Sequence, residues 1–155
     1  TRKPRYDEFN GIHYWFIDEE EFERWKRNGE FLETALVHGM AHYGTLIQPV
    51  LDHLAQNVPT LLEIDLQGAR RVKQEASRLG LEVVYVFIAP PSFEELKRRL
   101  IGRGTETPEQ QAKRLQTAKV EMAASSEFDF VIVNDDAQRA ADELWKIIAK
   151  EYDLD

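Results

Sequence analysis

Two stretches of the chain carry residue types suited to chemistry. The run Leu61-Leu62-Glu63-Ile64-Asp65-Leu66-Gln67-Gly68-Ala69-Arg70 closes a short apolar segment with two carboxylates, then a glycine and an Ala/Arg-rich segment. In parallel α/β sheets ligands sit just beyond the carboxyl ends of the strands. Glu63 and Asp65 at such an end can meet a metal, a ribose or a basic partner. An amphipathic strand with merely solvated carboxylates has the same pattern, and this motif alone does not separate the two readings. The second stretch is basic. Glu94 to Lys119 holds seven Lys and Arg (Lys97, Arg98, Arg99, Arg103, Lys113, Arg114, Lys119) against four Glu, whereas Glu121 to Asp155 holds ten acids and three bases. A chain of net charge −8 that gathers arginines in one segment suits a compact anion there, and phosphate fits best because planar guanidiniums pair with it through two hydrogen bonds. An ordinary helix face laced with i,i+4 pairs is the plainer account, and it is preferred for Lys97 and Arg98.

The elements that must position these groups follow from pattern. Thr1 to Gly11 reads as loop and turn, and the aromatic, β-branched Ile12–Ile17 as strand. Asp18 with Glu21 three residues on forms a capping box, starting a helix that ends near Asn28-Gly29. Phe31 to His38 is strand-like, and His42 to Thr45 a further short extended piece or turn. A helix is expected from Leu46 to Gln56 with Pro49 in its first turn. Leu61–Leu66 reads as a buried strand and Gly68–Arg78 as a helix. Val83–Ile88, continuously apolar before Pro90-Pro91, has the look of a strand buried on both faces. Ser92 caps a helix carrying Arg99, and glycines flank Arg103. Thr107-Pro108 opens another helix running to about Ser125. Phe128–Val133 is a core strand, and Asp136–Tyr152 a final amphipathic helix. After residue 60 the alternation is that of an α/β fold, whereas the first 58 residues look like a separate small lobe.

Composition narrows the classes. The 155 residues are 43% hydrophobic, enough for a core and against disorder. The acidic balance argues against non-specific nucleic-acid binding. No apolar run is long enough to span a bilayer, and the first segment lacks the apolar stretch of a signal peptide. With no cysteine there is neither a disulfide framework nor a thiolate metal site. A cytoplasmic protein without a membrane partner is expected.

In order and spacing, the motifs Thr1-Arg2-Lys3-Pro4-Arg5, Asn10-Gly11, Tyr14, Phe31-Leu32-Glu33, Tyr43-Gly44-Thr45, Glu63 to Gly68, Arg99 to Thr105, Arg114 and Val133-Asn134-Asp135-Asp136 combine. Together they resemble guanylate kinase, the nucleoside monophosphate kinase that moves a phosphoryl group from ATP to GMP. The resemblance covers essentially the whole chain. It implies an α/β fold of the P-loop nucleoside-monophosphate-kinase type, with a parallel sheet core, a small mixed GMP-binding lobe and a helical lid. Residues 1–58 would be the GMP lobe, 59–98 and 119–155 the core, and 99–118 the lid.

The resemblance also implies roles. Glu33 would hold the guanine edge, accepting from N1–H and the 2-amino group, a donor pair that adenine lacks. Thr45 would approach the base, and Arg2, Arg5, Tyr14 and Tyr43 would grip the GMP phosphate. Asp65 would lie near the acceptor nucleotide, and Glu63 or Asp65 can reach Mg²⁺ through water. Arg103 and Arg114 would lie over the transferring phosphoryl group, with Arg2 the third catalytic arginine. Arg99 and Asn134 would line the adenine pocket of ATP. The histidines His13, His38, His42 and His53 have no matched role and read as structural or solvated, and the tryptophans Trp15, Trp25 and Trp145 read as packing residues. The alternative is a non-catalytic guanylate-kinase-like module that binds phosphopeptides; such modules tend to lose the lid arginines and the strand-end Asp, both kept here.

One family motif has no counterpart in the 155 residues. Members open with a strand, a Gly-x-x-x-x-Gly-Lys-[Ser/Thr] loop and a helix, and a serine near the GMP phosphate follows. The strand lies mid-sheet, so its loss would leave backbone groups unpaired in a core. Either the parent protein carries a preceding portion, or the chain is a variant that folds differently; retention of every downstream position favours the first. The 155 residues alone, mixed with ATP, Mg²⁺ and GMP, are therefore expected to yield no ADP, and robust turnover would overturn that expectation.

Overall fold

The chain runs, in the computed structural model, through two compact units, Thr1–Val83 and Val84–Asp155, and the described residues are 1–37, 39–102 and 107–154. His38 and Arg103 to Glu106 lie outside the described residues, so the expectations for His38, Arg103 and Thr105 have no structural counterpart here.

In the first unit, α1 (Glu19–Arg27) starts where Asp18 accepts a hydrogen bond from the Glu21 amide at 2.8 Å, the cap read from the sequence. Three Glu in its first turn and Arg24, Lys26 and Arg27 in its last complement the helix dipole. The hairpin β1 (Phe31–Val37) and β2 (Ala41–Leu46) follows as an antiparallel pair in which Glu33 faces Thr45 and Ala35 faces Tyr43. Phe22 of α1 stacks on Phe31 at 4.8 Å and on His42 at 5.1 Å, with Trp25 against Phe31 at 6.1 Å. Short α2 (Ile47–Ala55) takes Pro49 in its first turn, where a missing N–H costs nothing. Next comes α3 (Leu66–Leu79), capped by Asp65 and ended by Gly80 at φ +68°, a left-handed position that suits glycine. It buries Leu66, Ala69, Val72 and Ala76 and packs on β1.

Two expected strands take other forms. Leu61 to Asp65 is not a strand, and Leu61 is well exposed. An extended segment becomes a strand only when a neighbour accepts its ladder, and none does so among the described residues. Around Ile12–Ile17 the backbone instead makes a turn, with the Ile12 and His13 amides on Phe9 O and the Gly11 amide on Tyr14 O at 2.8 Å. The aromatics that suggested a strand serve Arg2 instead, as described below.

The second unit holds a two-stranded parallel sheet of β3 (Val86–Ala89) and β4 (Phe130–Val133) in register from Val86–Phe130 to Ala89–Val133. Asp129 locks its entrance by accepting from the Tyr85 amide at 2.8 Å. Helix α4 (Phe93–Gly102) is capped by Ser92, α5 (Pro108–Ala123) packs on it, and a single 3₁₀ turn (Ser125–Glu127) leads into β4. Helix α6 (Ala137–Glu151), capped by Asp136, packs on β4. The first was expected to be buried on both faces and the second to be a core strand; Ile88, Val131 and Val133 are instead partly exposed. A parallel strand is enclosed only when layers cover both faces. Trp15 and Trp145 are also exposed, so of the three tryptophans only Trp25 packs as expected.

Candidate functional site

The antiparallel register does most of the positioning. Because Glu33 and Thr45 are direct cross-strand partners, their side chains share one face of the hairpin. Tyr43, two residues before Thr45, shares it too, about 7 Å away along β2. The Thr45 hydroxyl donates to Glu33 Oε1 at 2.9 Å. Glu33 is only 5% exposed, a rare state for a carboxylate. Burial pushes its pKa up; the hydrogen bond from Thr45 opposes this, the charge of Asp65 adds to it, and Arg71 opposes it.

The start of α3 shapes the other side of that carboxylate. A β-carbon built at Gly68 would stand 2.8 Å from Glu33 Oε2 and 3.1 Å from Ile64 Cβ. Gly68 therefore lets the helix approach the acid, while its amide is taken by Asp65 Oδ1 at 2.8 Å. One turn on, Arg71 donates to the Thr34 hydroxyl at 2.9 Å, tying α3 to the neighbouring position of β1. Gly44 has a comparable role in β2, where a side chain would meet the Phe31 ring at 2.7 Å.

The expected phosphate residues gather at the far end of the same face. Arg2 Nε donates to the Tyr43 hydroxyl at 2.9 Å. The Arg2 guanidinium also lies 5.4 Å from the Tyr14 ring centroid and 5.5 Å from that of Phe16, and the Tyr14 and Tyr43 rings meet edge to face at 6.0 Å. A cavity beside this cluster is lined by Arg2, Tyr14, Phe16, Phe22, Phe31 and Tyr43. Arg5 is exposed on the adjoining turn. Base-reading and phosphate-binding candidates thus belong to one strand pair and its preceding loop, linked through Tyr43. Asp65 is half-buried and Glu63 exposed. Among the described residues no three His, Asp or Glu side chains are arranged to hold a metal directly. A magnesium ion contacted through water does not need such a cage, and Asp65, with one oxygen on the α3 cap, fits that use.

In the second unit, Arg99 donates from Nη1 to the Asn134 carbonyl at 2.9 Å and from Nε to Glu95 at 2.7 Å. Two residues expected at one pocket are therefore neighbours. Glu95 also takes Arg98 at 2.8 Å, which makes Arg98 part of a helix-face pair, and the two arginines lower the Glu95 pKa to about 2. Arg114 is half-buried on α5. Sequence reasoning passed over Glu8, which binds Arg2; its place six residues after Arg2 and three after Arg5, the spacing of a turn, was the available signal.

A buried carboxylate on one strand pair, with an arginine–tyrosine cluster from that pair and the preceding loop, suits a ligand with a hydrogen-bonding ring and an anionic tail, as in a nucleotide-binding α/β protein. The guanylate kinase family model matches residues 1–151. A guanylate kinase of Bifidobacterium longum is 70% identical over 154 residues, covering 99% of this chain and 79% of the relative. One from Frankia casuarinae is 52% identical over 141 residues, covering 91% and 74%. The crystal structure of guanylate kinase from Anaplasma phagocytophilum superposes with a TM-score of 0.80 at 38% identity, over 98% of this chain and 72% of that one. The chain belongs to the guanylate kinase family.

Two consequences of the Glu33 environment are testable. Its folded-state pKa lies above the unfolded value of about 4.3, so the stability linked to its protonation is complete below that pH and is lost as pH rises through the folded value. Glu33→Gln, which does not titrate, should gain on wild type between pH 4 and pH 7 in denaturant melts; a difference constant with pH would contradict this. Gly68→Ala would be favoured by helix propensity by about 1 kcal/mol, but the acid must yield to the new methyl. Little change in Tm is expected, with guanine-nucleotide affinity falling roughly tenfold, the scale of one weakened charged hydrogen bond; unchanged affinity in calorimetry would refute the tight approach.

Proposed function

We propose that the protein transfers the γ-phosphoryl group of ATP to GMP, giving GDP and ADP, and that the Thr1–Val83 unit carries the acceptor site. The observation that carries this reading is the buried Glu33–Thr45 pair two residues along one strand face from the Tyr43–Arg2 pair. A carboxylate reads N1–H and the 2-amino group of guanine together, and the wrong base leaves it unpaired in a dry site. Arg2, Arg5, Tyr14 and Tyr43 take the phosphate, which fixes the acceptor oxygen without covalent help from the protein.

The ATP side is assigned to Arg99 and Asn134 at the adenine and to Arg114 with Arg103 over the phosphoryl group. Phosphoryl transfer needs positioning and charge neutralisation above all, and arginine suits it because it stays charged and forked. Glu63 or Asp65 would reach a Mg²⁺ ion through water, and the ion would supply charge neutralisation for the nucleotide phosphates. In this scheme residues 1–58 are the GMP lobe, 59–98 and 119–155 the core, and 99–118 the lid. A cytoplasmic site of action is part of this reading, and no helix among the described residues is long and apolar enough to cross a membrane. The phosphopeptide-module alternative is not favoured, since relatives up to 70% identical are guanylate kinases.

The full-length protein with ATP and Mg²⁺ should form ADP with GMP and little with AMP, followed by a coupled assay. Glu33→Gln should weaken GMP binding by about 1.5–3 kcal/mol, the scale of hydrogen bonds to a charged group. Equal wild-type affinity for GMP and AMP would remove the guanine assignment.

A further inference from the structure

Arg2 is held at several points in the first unit. Its Nη1 and Nη2 donate to the two oxygens of Glu8, each at 2.6 Å, as a two-pronged pair. Nη1 also donates to the Lys3 carbonyl at 3.0 Å, and Nε to the Tyr43 hydroxyl at 2.9 Å. A guanidinium has five N–H donors, so four have protein acceptors before any ligand arrives. Tyr14 and Phe16 hold its faces. Glu8 is anchored in turn: Oε2 accepts from the Arg5 amide at 2.7 Å, and its own amide donates to the Arg5 carbonyl at 3.2 Å. Its side chain is 11% exposed and that of Arg2 23%.

This wiring sets the polarity of Tyr43. The Tyr43 oxygen accepts from Arg2, so its own proton is left to donate along another direction. An Arg2 that swung away to clasp a phosphate with both prongs would break the pair with Glu8 and strand a largely covered carboxylate.

We propose that Glu8 is a positioning residue of the phosphate site: it holds Arg2 so that Nε engages the Tyr43 oxygen and the Tyr43 hydroxyl donates to the phosphate of the bound nucleoside monophosphate. The proposal rests on the reading that Arg2, Arg5, Tyr14 and Tyr43 form that site. Glu8 stays ionised throughout the neutral range, because Arg2 and the Arg5 amide lower its pKa to about 2.

Simple charge counting gives the opposite expectation for its removal. An anion near a phosphate repels it, so by Coulomb attraction alone Glu8→Gln would bind phosphate more tightly. Positioning requires weaker binding, and the sign separates the two. The experiment titrates GMP and guanosine into the full-length wild type and the Glu8→Gln and Glu8→Asp variants, with KM and kcat measured alongside.

In Glu8→Gln, GMP affinity should fall on the order of tenfold, the scale for loss of a partner that orients a ligand-binding group. Guanosine affinity should stay at the wild-type value, and KM for GMP should rise more than kcat falls. Glu8→Asp keeps the charge but draws it back by one methylene, so it should show a smaller loss of the same phosphate-specific kind; this variant carries the test if Glu8→Gln does not fold. Unchanged or tighter GMP binding overturns the proposal, as does an equal loss of GMP and guanosine, which would make Glu8 a fold residue only. If wild type itself binds guanosine as well as GMP, the reading of the phosphate site is wrong, and the proposal falls with it.

Discussion

Removing a carboxylate from water is costly unless neighbours compensate for the lost hydration, and Glu33 is compensated only in part. One of its oxygens has the Thr45 hydroxyl; the other faces the start of α3, where a side chain at Gly68 would crowd it. Burial therefore raises its pKa, and a donor-bearing ligand would favour its charged form. Folding tolerates this because the surroundings hold it there: the hairpin register, the α3 cap at Asp65 and the Arg71–Thr34 link. Residues that serve binding at some cost to stability are a recurrent sign of a functional site.

From that carboxylate the lobe extends along one strand. The two-residue repeat of β2 carries Tyr43 on the same face as Thr45, and Tyr43 brings in Arg2 from the first loop. The aromatic cluster around Arg2 adds a preference for a cation over ring faces, and Glu8 fixes its direction. The candidate base-reading and phosphate-binding groups are thus linked by covalent strand geometry rather than by flexible loops alone, which keeps their separation defined. In the second unit the same economy joins Arg99 to the Asn134 carbonyl at the end of β4.

What could be read from residues alone was local. The Asp18 and Ser92 caps, Pro49 at a helix start and the strand-like stretch from Phe31 rest on local pattern or turn chemistry, and they stand in the structure. The expected strands at Leu61–Leu66 and Ile12–Ile17 failed for one reason: apolar and β-branched content shows that a segment can extend, whereas a strand needs a neighbour that no local pattern reveals. The pairings of Glu33 with Thr45 and of Arg2 with Tyr43 join residues 12 and 41 apart. They were expected only as ligand contacts implied by family resemblance, and the direct bonds between them came from the fold. Glu8 was missed because a carboxylate in an exposed-looking turn normally needs no explanation.

The central claim is that the buried acid on β1 reads two guanine donors at once, and the most direct measurement is a calorimetric cycle with GMP and IMP on wild type and Glu33→Gln. IMP keeps N1–H but lacks the 2-amino group. Wild type should prefer GMP by about 1.5–3 kcal/mol, the scale for a hydrogen bond to a charged group, and most of that preference should vanish in the variant. An equal preference in both proteins would mean that another group reads the amino position, and would contradict the account.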